Sequence, residues 1–96
     1  MSPGRADSTA GGGQWPAVGR RSIPPNSFLK GQSVEYLGYR GGRQVWRSTT
    51  EKRLYTWDDL HGHVEAFNLR GRHVAVLDAV HGVMIGEAIA GRKINV

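Results

Sequence analysis

The stretch Arg53-Leu-Tyr-Thr-Trp-Asp-Asp-Leu-His-Gly-His-Val-Glu-Ala-Phe-Asn-Leu69 decides the fold class, because it holds two β-prone runs on either side of a turn. Residues 53–57 and 63–69 carry aromatic and β-branched side chains, and residues 59–62 supply aspartate and glycine for the turn. The pattern predicts a β-hairpin. Along its second strand, alternation should place His63, Glu65 and Phe67 on one face.

Similar short runs, separated by glycine-containing turns, flank this hairpin on both sides. The expected strands lie at residues 34–39, 43–48, 72–77 and 83–85, with a last extended piece at 92–96. Residues 73–85 also approximate helical spacing, but valine and isoleucine dominate there, and Gly82 and Gly86 would each cost a helix about 1 kcal/mol. We therefore predict a mainly β fold: one highly twisted antiparallel sheet of five or six short strands.

Residues 1–30 differ in composition, since they hold all four prolines and a run of three glycines. They predict a disordered, flexible Gly/Pro-rich linker or tail, followed by a single domain at residues 31–96. Trp15 and the pair Phe28 and Leu29 are apolar exceptions that could dock on this domain. Asn26 or Ser27 could cap one short N-terminal helix there.

Composition excludes several classes of protein. The 96 residues include no cysteine, so neither disulfides nor thiolate metal sites contribute. No apolar run is long enough to span a membrane, and the N-terminus lacks the apolar core of a signal peptide. The net charge of +5 favours an anionic partner, RNA or an acidic protein. Much of this charge precedes the hairpin, at Arg40, Arg43, Arg47, Lys52 and Arg53.

Three ionisable residues, Asp58, His61 and Glu65, follow one another at spacings of three and four. Glu65 and His61 could divide the proton transfers of RNA transesterification while Asp58 orients His61, and an arginine would hold the phosphate. This chemistry requires no metal and no cofactor. If Tyr55 and Trp57 share the face of Glu65, then Asp58, His61, Glu65 and the two aromatic rings converge at one end of the hairpin. Tyr55 or Trp57 could then stack on an unpaired base.

Other interpretations of these residues remain open. An aspartate pair before a turn commonly only caps it, and a histidine beside a turn glycine is commonly surface decoration. His61 and His63 with a carboxylate also suggest a metal site, but alternation would place only His63 and Glu65 together. We expect His73 and His81 to be exposed. A β module that binds RNA or protein without catalysis is the alternative function.

The chain resembles the cytotoxic ribonuclease domain of the colicins that cleave small-subunit ribosomal RNA. The shared signature is Trp46, seven residues, then Leu54 and Tyr55-x-Trp-Asp-x-x-His-Gly-x-x-Glu-x-Phe67. The resemblance continues through Gly71, Leu77-Asp78 and Gly82 to Arg92-x-Ile94, and it covers roughly residues 43–96.

This resemblance implies a fold, a site and partners. The fold would be a twisted antiparallel sheet preceded by a short helix, and the activity a metal-independent cut in the decoding region. The implied catalytic residues are Asp58, His61, Glu65 and Arg92, with Tyr55 nearby. His63 stands where the colicins carry another carboxylate. A degenerate toxin that only retains immunity-protein binding is a further alternative.

We expect seven residues to bind substrate: Tyr55, Trp57, His63, Arg43, Arg47, Lys52 and Arg53. The expected partners are the RNA of the small ribosomal subunit and an acidic immunity protein, and the protein is expected to be a monomer. The resemblance further implies that it is exported or delivered from a producing bacterium and acts in the cytoplasm of a target cell.

Overall fold

The computed structural model describes residues 20–96, in which six strands form one antiparallel meander. The strands are β1 (Val34–Arg40), β2 (Arg43–Ser48), β3 (Leu54–Asp58), β4 (His63–Phe67), β5 (His73–Leu77) and β6 (Met84–Glu87). Each pairs only with its neighbours in sequence, in the order β1-β2-β3-β4-β5-β6. The predicted mainly β fold is confirmed. The disorder predicted for residues 1–19 falls outside the described residues.

A short helix precedes the sheet, as the sequence suggested. It is a 3₁₀ helix at Phe28–Lys30, and the Ser27 side chain caps it by accepting a hydrogen bond from the backbone N–H of Leu29 at 3.1 Å. Leu29 is buried, and the Phe28 ring meets Tyr55 edge to face at 5.3 Å between centroids. Residues 20–30, within the segment assigned to a linker, therefore lie against the sheet.

The sheet buries apolar side chains on both faces, in two clusters. The larger cluster lies under the 3₁₀ helix and contains Leu29, Trp46, Tyr55, Val64, Ala66, Ala75 and Leu77. The smaller one lies on the opposite face and contains Val45, Leu54 and Phe67, with Leu37 and Ile94 against it. The C-terminal segment helps to cover this second face, because its residue Ile94 packs against the smaller cluster.

The C-terminal segment 88–96, which includes the extended piece expected at residues 92–96, forms no further strand. It makes a single bridge between Arg72 and Lys93, and the Ile94 N–H donates to the Gly71 carbonyl at 2.9 Å. A turn lies within the segment, where the Arg92 N–H donates to the Ile89 carbonyl at 3.2 Å. The segment is therefore attached to the sheet by isolated contacts rather than by a strand ladder.

Gly71 provides the space in which that segment lies. Its φ of +85° suits glycine, and a Cβ there would collide with the carbonyl oxygen of Ile94. We predict that Gly71→Ala displaces the segment. Gly91→Ala should add only backbone strain, because its φ of +83° is similar but, among residues 20–96, no atom beyond its chain neighbours lies within 4 Å of an added Cβ. Urea unfolding should show a loss of about 1–2 kcal/mol for Gly91→Ala and about 1–3 kcal/mol more for Gly71→Ala. Equal losses would contradict the close packing.

Candidate active site

Asp58 ends β3 and builds the turn that presents His61. Its Oδ1 accepts the backbone N–H groups of Leu60 at 3.0 Å and His61 at 3.1 Å, while Oδ2 lies 2.8 Å from His61 Nδ1. The three-residue spacing thus lets one carboxylate cap the turn and hold the imidazole. Within residues 20–96 His61 Nε2 has no hydrogen-bond partner, and the side chain is 63% exposed, so Nε2 can exchange a proton.

The electrostatics of this pair favour an ionised Asp58. Partial desolvation raises the pKa of Asp58, but hydrogen bonds from the His61 side chain and backbone and from the Leu60 backbone outweigh it, so the pKa lies below its ordinary value of 3.8. An ionised Asp58 accepts only, so His61 Nδ1 carries a hydrogen toward it. In neutral His61 the Nε2 lone pair then faces outward.

The lowered pKa has a consequence for acid stability. The pKa of Asp78 is also lowered, chiefly because the backbone N–H of His81 donates a hydrogen bond to this carboxylate. A carboxylate whose folded pKa is depressed stabilises the fold above its unfolded pKa, and this contribution disappears as the pH falls through the folded value. We expect the free energy of unfolding to decline below about pH 4, and to decline less steeply in Asp58→Asn. Denaturant titrations at several pH values would measure this, and identical slopes would contradict it.

Glu65 lies in the middle of β4 and is buried. Its Oε1 accepts a hydrogen bond from Arg92 Nη1 at 2.6 Å, and His73 Nε2 lies 2.9 Å from the same oxygen. Oε2 accepts no hydrogen bond from residues 20–96. A buried carboxylate therefore has one oxygen held by cationic and imidazole groups, and its other oxygen is available to take a proton.

His73 was expected to be exposed, and the structure corrects this because the C-terminal segment covers it. Its Nδ1 accepts the Ile89 N–H at 2.9 Å, so that nitrogen is unprotonated and Nε2 carries the hydrogen of the neutral ring. The Nε2 contact with Glu65 is close but poorly aligned for a hydrogen bond. The backbone N–H of His73 also donates to the Arg92 carbonyl at 3.0 Å. His73 thus links Glu65 to the turn that carries Arg92.

We predict that replacing His73 disturbs this turn in a way that depends on the replacement. In His73→Asn the amide oxygen can stand in for Nδ1 and accept the Ile89 N–H, whereas His73→Ala leaves that buried donor unpaired. His73→Ala should lower the free energy of unfolding by about 1–3 kcal/mol, and His73→Asn by less. Thermal or urea unfolding measures the difference, and an equal loss in both variants would contradict the role of Nδ1.

The four predicted catalytic residues meet in one cleft of about 260 Å³. Asp58, His61, Glu65 and Arg92 all line it, and Arg43 reaches it from β2. Lys93 lines it too and was not predicted as a site residue, since nothing in its local sequence distinguishes it. The cleft therefore combines two groups that can transfer protons with three cationic side chains.

The predicted aromatic residues do not both join this cleft. In the hairpin register Thr56 pairs with Glu65 and Tyr55 with Ala66, so Tyr55 and Trp57 lie on the face opposite to Glu65. Tyr55 is buried there in the larger cluster. Trp57 still reaches the cleft edge, with its Nε1–H donating to the Arg21 carbonyl at 2.8 Å.

The remaining predicted substrate-binding residues lie around the site or away from it. His63 pairs with Asp58 across the hairpin, and its ring stacks near that of His61 at 6.2 Å. Arg47, Lys52 and Arg53 do not line the cleft. Two of them contact acids instead: Arg47 lies 2.7 Å from Glu35 and Arg53 lies 4.0 Å from Glu51. Lys52 is exposed between β2 and β3.

A second turn repeats the Asp-x-x-His-Gly pattern of the site. Asp78 accepts the His81 N–H at 2.8 Å, and His81 Nδ1 lies 3.6 Å from the same carboxylate. Gly62 and Gly82 follow the two histidines with φ values of +73° and +71°. The second histidine is exposed, as predicted, and lies outside the catalytic cleft. The Asp-x-x-His-Gly pattern therefore specifies a turn, and only the turn that carries His61 lies at the cleft.

No group of three His, Cys, Asp or Glu side chains within residues 20–96 is placed to hold a metal ion. In the same residues no helix is long and apolar enough to cross a membrane.

The family model described as Cytotoxic, the colicin-type cytotoxic ribonuclease domain, matches residues 29–95. The chain belongs to this family. The match begins inside the 3₁₀ helix and ends after Arg92, so it includes every strand of the sheet and all four residues of the predicted catalytic set. No curated protein matches the chain significantly. Family membership supports a nuclease toxin role for the domain.

Proposed function

We propose that this domain is an endoribonuclease that cleaves small-subunit ribosomal RNA in the decoding region and thereby halts translation. The observation that carries the proposal is the single cleft in which Glu65, His61 and Arg92 meet. Family membership supports the RNA substrate class. The mechanism is general acid/base transesterification that uses side chains of the protein alone.

Two side chains of the cleft suit opposite proton transfers. Glu65 Oε2 takes the proton from the ribose 2′-hydroxyl as the 2′-oxygen attacks the phosphorus. His61, protonated at Nε2, gives a proton to the departing 5′-oxygen. The products are a 2′,3′-cyclic phosphate and a 5′-hydroxyl, and each proton transfer contributes about 10²–10⁴-fold to the rate.

The cationic groups stabilise the negative charge that develops on the phosphoryl oxygens in the transition state. Arg92 is held by Glu65 Oε1 through one guanidinium nitrogen, Nη1. The remaining N–H groups of its guanidinium can donate to the phosphate, since arginine carries five such donors. Lys93 and Arg43 line the same cleft and add positive charge.

The biological setting follows from the family. We infer that the domain is delivered from a producing bacterium into the cytoplasm of a target cell, where it meets ribosomes. In the producing cell an acidic immunity protein would bind the basic surface and prevent cleavage. The net charge of +5 suits both partners.

The proposal is tested with purified bacterial ribosomes incubated with the protein in Mg²⁺ buffer, where primer extension along the small-subunit RNA should show one new stop in the decoding region. In a bacterial extract that retains its Mg²⁺, added protein should stop translation of a reporter. Glu65→Gln protein is the matched control. Salt-sensitive RNA binding without any cleavage would instead favour the non-catalytic binding module.

A further inference from the structure

A second cavity of about 400 Å³ adjoins the catalytic cleft, where the sheet opens between β2 and β3. These strands pair only at Trp46 with Tyr55 and at Arg47 with Leu54. β2 begins three residues before this pairing and β3 ends three residues after it, so the strand ends diverge. Arg43, Trp57 and Asp59 line both cavities, so the two are neighbours on the surface.

Thr56 places an unpartnered hydroxyl at this opening. The residue is 1% exposed, it lines the cavity, and its Oγ1 has no hydrogen-bond partner within residues 20–96. It pairs directly with Glu65, so it lies on the strand position next to the catalytic carboxylate. A buried hydroxyl without a partner costs stability, and such a cost is commonly retained where a ligand supplies the partner.

Two further side chains give the opening the chemistry of a nucleotide site. Tyr39 lines it with a ring that is 69% exposed, although large aromatic residues usually bury more of their surface. A bulge at Gly38, with φ +91°, precedes Tyr39 and shifts the register so that Tyr39 pairs with Gln44. Arg43 pairs with no carboxylate within residues 20–96.

We propose that this opening binds one unpaired nucleotide of the substrate, next to the phosphodiester that is cut. The base stacks on Tyr39, the Thr56 hydroxyl hydrogen-bonds the base or sugar, and Arg43 contacts the phosphate shared with the catalytic cleft. A base in a duplex offers no free face to Tyr39, so the opening selects single-stranded RNA. This inference rests on the proposed function, because it takes the ligand of the cleft to be RNA.

The test uses Thr56→Val, which removes the hydroxyl and keeps the shape. If Thr56 serves the ligand, the variant should bind RNA about 3–10-fold more weakly while its melting temperature stays equal or rises, because a buried unpaired hydroxyl is removed. If the hydroxyl served only the fold, the melting temperature would fall and binding would be unchanged, which would overturn the proposal.

The stacking contact is tested with Tyr39→Ala in the full chain, which also carries Glu65→Gln to prevent cleavage. Fluorescence anisotropy of a labelled single-stranded RNA octamer measures binding. Tyr39→Ala should raise the Kd about 5- to 100-fold, and Tyr39→Phe should bind as the parent does. Tyr36→Ala is the matched control, since that ring packs on Trp46 and does not line the opening. A duplex of the same sequence should not respond to Tyr39→Ala.

The two proposals fail in different ways. A wild-type protein that cuts ribosomal RNA, while the Tyr39 and Thr56 variants bind the octamer as tightly as their parent, overturns only the nucleotide subsite. A wild-type protein that cuts no RNA, but whose octamer binding depends on Tyr39 and Thr56, overturns the proposed function and supports the subsite.

Discussion

Replacing Glu65 with glutamine is expected to lower the rate constant of RNA cleavage by about 10²–10⁴-fold, the usual range for a lost general base. Glutamine keeps the length of the side chain and an oxygen that Arg92 can contact, but it cannot take the 2′-hydroxyl proton. Single-turnover cleavage of ribosomes, with enzyme in excess, measures the chemical step.

Glu87→Gln is the matched control for this substitution. It makes the same change of charge on an exposed position of β6, outside the cleft, so its rate constant should equal that of the wild-type protein. Circular dichroism would show that both variants are folded. A folded Glu65→Gln protein with more than half of the wild-type rate would remove Glu65 from the proton transfer.

His61→Ala is expected to have a comparable effect, about 10²–10⁴-fold on the same rate constant, because His61 is the group proposed to protonate the leaving oxygen. The effect on stability should be small, since the His61 side chain is largely exposed and its one described hydrogen bond is to Asp58. Added imidazole should restore part of the activity if the role is proton transfer.

The chain contains its own control for this variant. His81 occupies the same kind of Asp-x-x-His-Gly turn, beside Asp78, but it lies outside the cleft. His81→Ala should therefore leave cleavage unchanged. Equal losses in His61→Ala and His81→Ala would show that such turns matter for folding and that His61 has no particular chemical role.

The strands could be predicted from sequence because β-prone runs alternate with glycine turns throughout residues 34–87. The bounds of β2 agree at both ends, and the other strands differ by one to three residues where turns begin or end. The sequence predicted the convergence of Asp58, His61 and Glu65 on the condition that Tyr55 and Trp57 share the face of Glu65. The three residues line one cleft although that condition is not met. Local sequence therefore determined this half of the site.

The contacts that depend on distant segments could not be foreseen in the same way. Arg92 lies 27 residues from Glu65, and only the resemblance to a family pointed to it. The burial of His73 depends on a C-terminal segment that packs through Gly71 and Ile94 rather than through strand pairing. Tyr55 is a separate, local case. The register of the hairpin pairs Thr56 with Glu65, and this register places Tyr55 on the face opposite to Glu65.

The opening between β2 and β3 has no signal in the sequence at all. Residues 43–48 and 54–58 have the composition of ordinary neighbouring strands, which normally pair along their full length. Their ends diverge beyond the two paired positions, which leaves an opening lined by the exposed Tyr39 ring and by Thr56, whose hydroxyl is buried. Twist accumulates across strands, so one strand pair considered alone does not reveal it.

The central claim, cleavage by attack of the 2′-oxygen with Glu65 as base, is tested most directly by end-group analysis of the RNA fragments formed in EDTA. Attack by the 2′-oxygen predicts a 2′,3′-cyclic phosphate on the upstream fragment and a 5′-hydroxyl on the downstream fragment, at one position of the decoding region. Both should be lost with Glu65→Gln protein. A 3′-hydroxyl with a 5′-phosphate, or intact small-subunit RNA at micromolar protein, would contradict it.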